Sequence, residues 1–301
     1  MTSGIGALLT TYTFRTMLLG TSLVGAVAGL LGCFLFLQRR SMLSDVIGHS
    51  SVAGVAAAFL VAAGLLGVDG RMMPVLVVGA LGASLAAVLL TGWVSSTTPL
   101  GADAAMAASL AIFFGGGMVL LRWITHSSLP GRGGIESYVF GNAATMLAQD
   151  LWTIGAVAVG VVAFVVVCRK ELGLLLFDPV AAHVLGFRPR LLGGVLLVVL
   201  TTGLVLGIKA VGVILIVGFA TLPAATARLW VRRLPAMLVA SALLGAGGAV
   251  VGSATAVQLG KVPTGPVIVV VLFLGFAVSL VVAPRGILRR RRARRPVGVA
   301  A

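Results

Sequence analysis

Nine apolar runs, each close to twenty residues long and almost free of charge, decide what this chain can fold into. They lie near 14–37, 46–67, 74–94, 102–121, 149–168, 191–208, 211–228, 235–256 and 267–283. A bilayer-spanning helix needs roughly 20 predominantly apolar residues. The pattern therefore predicts an all-α fold, a polytopic membrane helix bundle of eight or nine transmembrane helices. The lower count arises because only Lys209 and its neighbours separate 191–208 from 211–228, so one kinked or re-entrant pair is the alternative. The first run is longer than a signal-peptide core and lacks a small-residue cleavage site before the next run, so it is read as a retained span.

Composition supports that class and excludes others. Of 301 residues, 59% are hydrophobic and 10% charged, against about 45–50% and about 25% in soluble domains. Disorder is excluded by the hydrophobicity, and a soluble enzyme by the shortage of polar surface. The 22 Lys and Arg exceed the 7 Asp and Glu, and their placement matters more than their number. Arg285 and the block Arg289, Arg290, Arg291, Arg292, Arg294 and Arg295 follow the last apolar run. With nine spans, sixteen basic residues fall on the C-terminal side and six on the other. The positive-inside rule then puts the C-terminus in the cytoplasm. Residues 1–288 form the membrane domain and 289–301 a basic cytoplasmic tail, suited to anionic lipid rather than nucleic acid. Cys33 and Cys168 sit in apolar runs with no disulfide or thiolate-metal spacing. Among the 41 glycines, Gly25-x-x-x-Gly29 and Gly248-x-x-x-Gly252 make faces that let membrane helices approach closely. Such faces point to a compact bundle and are compatible with a dimer.

Ionisable groups inside apolar runs are costly, so the exceptions direct attention. Asp45 and His49 open the second span, four residues apart and hence on one helix face. A carboxylate and an imidazole there can grip a divalent cation, and the absence of thiolate favours manganese, iron or zinc over Cu(I). The competing reading makes Asp45 a residue favoured by the helix dipole and His49 merely interfacial. Residue types alone leave both open. His126 reads as a loop histidine, Asp103 as the opening of span four, and Glu136 and Asp150 as flanks of a loop, with roles unassigned. Asp178 and His183 are five apart and do not share a helix face, which argues against a joint site. No phosphate-binding Gly-x-x-x-x-Gly-Lys-Ser/Thr loop occurs, nor a His-Glu-x-x-His or nucleophile-elbow motif, so no catalytic role is expected.

The stretch Leu37-Gln38-Arg39-Arg40-Ser41-Met42-Leu43-Ser44-Asp45-Val46-Ile47-Gly48-His49 resembles the segment opening the second span in permeases of metal-importing ABC transporters, the manganese/zinc/iron family. The resemblance continues at Phe177-Asp178-Pro179 through Leu185-Gly186, at Ala210 to Leu215, at Leu222 to Arg228, and from Pro263 to Gly286. It thus covers about residues 14–288. It implies a type II importer with two permease subunits, cytoplasmic ATPase subunits and an extracytoplasmic metal-binding protein, in the bacterial cell membrane. Asp45 and His49 match the family's metal-binding pair on the translocation path. Residues 177–190, including Phe177, Asp178, Pro179, Leu185 and Gly186, match the segment contacting the ATPase. There are departures: Ser44 replaces the usual glycine, Gly48 the usual serine, and Ala53-Gly54 the usual Pro-Gly. The expected cargo is a divalent transition metal, manganese first, then zinc or iron, with no permanently bound cofactor. A permease for an iron chelate or siderophore is the alternative, and a secondary metal carrier is another. A carrier predicts an inverted repeat, for which the chain shows no convincing sign.

Overall fold

The computed structural model describes residues 12–38, 40–65, 73–99, 101–127, 146–259 and 262–284. These form helices, with no strand among the described residues. Helix α1 spans Tyr12–Leu37; α2 spans Met42–Leu60 and ends in a π-helical turn, Val61–Leu65. Then come α3 (Met73–Thr97), α4 (Ala102–His126) and α5 (Ala148–Val167). Two short helices, α6 (Arg169–Phe177) and α7 (Pro179–Val184), precede α8 (Pro189–Val211). The chain closes with α9 (Val213–Trp230), α10 (Leu234–Leu259) and α11 (Thr264–Val282). The valine-rich end of α5 would favour a strand in water. In hydrocarbon each N–H and C=O must be paired within its own segment, and a helix does this.

Eight of these helices are long and apolar enough to cross a membrane; α9 has a shorter apolar stretch. Its partner α8 ends at Gly212, whose φ of 93° lies in the left-handed region that glycine tolerates. The turn is sharp. The Ile216 side chain comes within 2.6 Å of where a Cβ on Gly207 would stand, nine residues earlier. The 191–228 region is therefore two helices folded back on each other, not one kinked span.

The seam between α1 and α10 organises the bundle. Along it, Thr21 Oγ1 meets Ser253 Oγ at 3.2 Å, the Gly25 backbone touches Gly245, Ser241 Oγ donates to the Gly29 carbonyl at 2.6 Å, and Cys33 Sγ donates to the Met237 carbonyl at 3.6 Å. One number rises by four as the other falls by four or more, so the helices are antiparallel with small residues facing small ones. Gly29 and Gly25 are thus consumed within the chain, and Gly248 and Gly252 pack on Leu272 and Ile268 of α11. These glycine faces build the bundle itself rather than a dimer contact.

The same seam settles topology. The end of α1 lies beside the start of α10, so an even number of passes must separate them. Helices α2, α3, α4, α5 and α8 supply five, and α9 is the return. Gly265, opening α11, touches Leu215 and the Val211 carbonyl at the α8–α9 turn. Tyr12 and Pro284 therefore lie at opposite ends of the bundle. The basic tail falls outside the described residues.

Candidate metal site

Helix α2 begins at Met42, so Asp45 sits in its first turn and His49 in its second. No side chain caps this helix, and the Ser44 hydroxyl instead donates to the Ser41 carbonyl at 2.6 Å. Both Asp45 and His49 are half-buried and close enough to interact electrostatically. Three neighbours fix the helix that carries them. From α3, the Ser84 hydroxyl donates to the Ile47 carbonyl at 2.8 Å, and Gly54 meets Gly79 backbone to backbone. From α4, Gly117 packs on the Ala53 backbone, and the Phe114 ring lies edge-on to the His49 ring. From α9, the Val213 carbonyl stands 3.3 Å from where a Cβ on Gly48 would be. The two departures at Gly48 and Ala53-Gly54 thus fall at close helix crossings.

The imidazole is held but not hydrogen-bonded. His49 Nδ1 is buried and has no hydrogen-bond partner; among the described residues the same is true of Ser50 Oγ, Ser109 Oγ and, on α6, Glu171 Oε2. Buried polar atoms are nearly always paired, so the orphaned Nδ1, one turn from the Asp45 carboxylate, is the atom of this site that lacks a partner. The register of α4 against α2 also fixes the height of Ser109. His49 meets Phe114 while Ala53 meets Gly117, so α2 and α4 run parallel. At 1.5 Å per residue, Ser109 then stands about level with Asp45. The sequence does not single out Phe114, which is not ionisable; the packing of α4 on α2 brings it against His49. Among the described residues no group of three or more His, Cys, Asp or Glu converges. Asp45 and His49 are thus the two side chains of a ligating type at this position.

The other expected residues fall elsewhere. Asp178 caps α7, its Oδ1 accepting from the Ala181 N–H at 2.9 Å, with Pro179 in the first turn. Gly186, at φ 84°, ends that helix; its N–H donates to His183 and that of Phe187 to Ala182, a complete Schellman closure. Leu185 and Phe177 are exposed, and His183 points outward on the same short helix. The loop reading of His126 is corrected: it lies in the last turn of α4, with Nδ1 3.0 Å from the Arg122 carbonyl. Asp103 stands in the first turn of α4, as expected. The Asp150 carboxylate accepts from the Leu147 N–H at 2.9 Å, closing the start of α5. Glu136 lies outside the described residues.

Comparison with known proteins matches this architecture. The ABC 3 transport family matches residues 10–283. The chain is 35% identical to the zinc transport system membrane protein TroC of Treponema pallidum, over 93% of this chain and 94% of that one. It is 31% identical to the manganese transport system membrane protein MntC of Bacillus subtilis, over 93% of this chain and 66% of that one. The fold superposes on the structure of PsaBC from Streptococcus pneumoniae in complex with Fab with a TM-score of 0.81 at 26% identity, covering 95% of this chain and 98% of that one. With a match across nearly its whole length and a bundle of the same shape, the chain belongs to the ABC 3 transport family.

Proposed function

We propose that this chain is the permease subunit of an ATP-driven importer of divalent transition-metal ions, with manganese the first choice of cargo and zinc and iron next. The observation that carries the reading is the buried, unpartnered Nδ1 of His49 one helical turn from Asp45. A nitrogen left unpaired beside a carboxylate is a ligand awaiting its cation. The relatives named for zinc and manganese transport support the cargo class. Hard oxygen with borderline nitrogen suits these ions. Because one chain brings two ligands, two permeases, identical copies or paralogues, bring four to a shared path. An incomplete shell in each half binds well enough to strip hydration and releases when the halves separate.

Orientation and coupling follow from charge and shape. The parity of the bundle places Arg40, Arg169, Lys170, Arg228, Arg232 and Arg233 at one end, which the positive-inside rule makes cytoplasmic. The C-terminus is on that side, and the cell membrane of a bacterium is the location. Helix α7 projects there with Val180 73%, Val184 80% and Leu185 64% exposed. An apolar knob outside the lipid is a surface for another protein, here the ATPase subunit. An extracytoplasmic binding protein delivers the ion at the opposite end.

The test is uptake by cells expressing the permease with its neighbouring ATPase and binding protein, supplied with manganese, zinc or iron separately. Uptake of one ion that is lost in Asp45→Ala and His49→Ala supports substrate and site together. Uptake unchanged in both variants, at equal permease abundance, removes the site. No uptake of any free ion turns the reading to a chelate.

A further inference from the structure

We propose that a groove between α5, α6 and α10 is the seat of one anionic phospholipid, whose phosphate lies against Arg169 and Lys170. The groove encloses about 660 Å³, within the range of small-molecule sites. Phe34 of α1, Val166 of α5 and Leu243 of α10 line it. Its two charged lining residues are Arg169 and Lys170, both exposed, and no acidic side chain lines it. The start of α10, Leu234 and Pro235, lines it as well, so both cations stand at the end of the bundle where α5 finishes and α10 begins. An apolar cleft with paired positive charge at one end complements one membrane component, an acyl chain carrying a negative headgroup.

Ordinary lipid contact does not account for this arrangement. A flat helix face binds any lipid, because hydrocarbon offers no preference between apolar surfaces. Here the residues surround a cleft, and Gly173 borders open space within it. A Cβ at that position meets nothing within 4 Å. Selectivity comes from the headgroup: two cations at the membrane surface favour an anionic over a zwitterionic lipid by about thirtyfold. The lipid braces α6, the short helix that leads directly into α7. The proposal stands on the groove alone and does not depend on what the chain transports.

The experiment uses the full-length permease, delipidated in detergent and titrated with phosphatidylglycerol or phosphatidylcholine of matched chains, with bound lipid counted by native mass spectrometry. Wild type is expected to hold one phosphatidylglycerol per chain at a concentration about thirtyfold below that needed for phosphatidylcholine. The double variant Arg169→Gln/Lys170→Gln is expected to lose the preference. Gly173→Phe keeps both cations but fills the groove, and is expected to lose the bound lipid. Arg188→Gln/Arg190→Gln, nearby and outside the groove, is expected to behave as wild type. The proposal is overturned if wild type shows no preference, if the Arg169/Lys170 variant keeps it, or if Gly173→Phe still retains the lipid. Equal loss in the Arg188/Arg190 control also overturns it, since diffuse surface charge then suffices.

Discussion

The Phe114 ring meets the His49 ring edge-on, with centroids 4.6 Å apart and planes at 69°. Nothing hydrogen-bonds the imidazole through Nδ1, so this aromatic contact from α4 is the interaction that orients the ring if it serves as a metal ligand as proposed. Such a pair contributes about 0.5–1.5 kcal/mol beyond its buried area. Phe114→Leu is therefore expected to raise the cargo concentration for half-maximal uptake roughly two- to twelvefold, with permease abundance unchanged. Concentration-dependent uptake beside quantitative immunoblotting checks this. An unchanged half-maximal concentration means that the ring is packing only.

An unpaired buried nitrogen also predicts a conflict between stability and function. Removing it relieves a desolvation penalty of about 1–3 kcal/mol. In detergent without metal, His49→Leu is expected to unfold at a temperature equal to or above that of wild type. Adding the cargo ion at about a hundred times its dissociation constant stabilises a binding protein by about 2.7 kcal/mol. Wild type should show that upward shift and His49→Leu should not. Thermal unfolding followed by intrinsic tryptophan fluorescence measures both. A variant less stable than wild type without metal shows that the imidazole is an ordinary core group.

Much of this was legible in the sequence for one physical reason. In lipid, backbone hydrogen bonding forces apolar runs into helices, so run length alone located every long helix to within a few residues. Asp45 and His49 stood out because charge in such runs is rare. Three features were not legible. The direction of α9 depends on a backbone angle at Gly212 that only the fold reveals. Phe114 is one of 13 phenylalanines, and its place against His49 follows from the parallel crossing of α2 and α4. Gly25-x-x-x-Gly29 announced a close helix contact, but nothing local said that the partner was α10, more than two hundred residues away.

That last contact yields a stability test. A Cβ on Gly25 collides with the Gly245 carbonyl, a backbone atom that cannot rotate aside, whereas one on Gly247, two residues from Gly245 in α10, meets nothing within 4 Å. Overpacking typically costs about 1–3 kcal/mol and sometimes more. Gly25→Ala is expected to lower the unfolding temperature and the amount of permease recovered from membranes, while Gly247→Ala leaves both unchanged. The comparison separates backbone collision from any general intolerance of helix glycines. Equal behaviour of the two variants would mean that α1 and α10 are not packed at this seam as described.

At Asp178 the proposed coupling to an ATPase subunit can be tested apart from the proposed metal site. Its carboxylate caps α7 through the Ala181 N–H, and loss of such a cap costs about 0.5–2 kcal/mol. On a helix of six residues that is enough to fray the whole element without touching the bundle. Asp178→Ala is therefore expected to leave global unfolding nearly unchanged and to lower uptake severalfold. ATP hydrolysis by the assembled transporter would continue but no longer respond to cargo. Asp178→Asn or Asp178→Ser, which retain a capping oxygen, should restore most of the uptake. Hydrolysis and uptake measured on the same proteoliposomes distinguish this from a lost metal site, because Asp45→Ala should abolish uptake whichever residue stands at position 178. If Asp178→Ala transports at the wild-type rate, α7 does not carry the coupling.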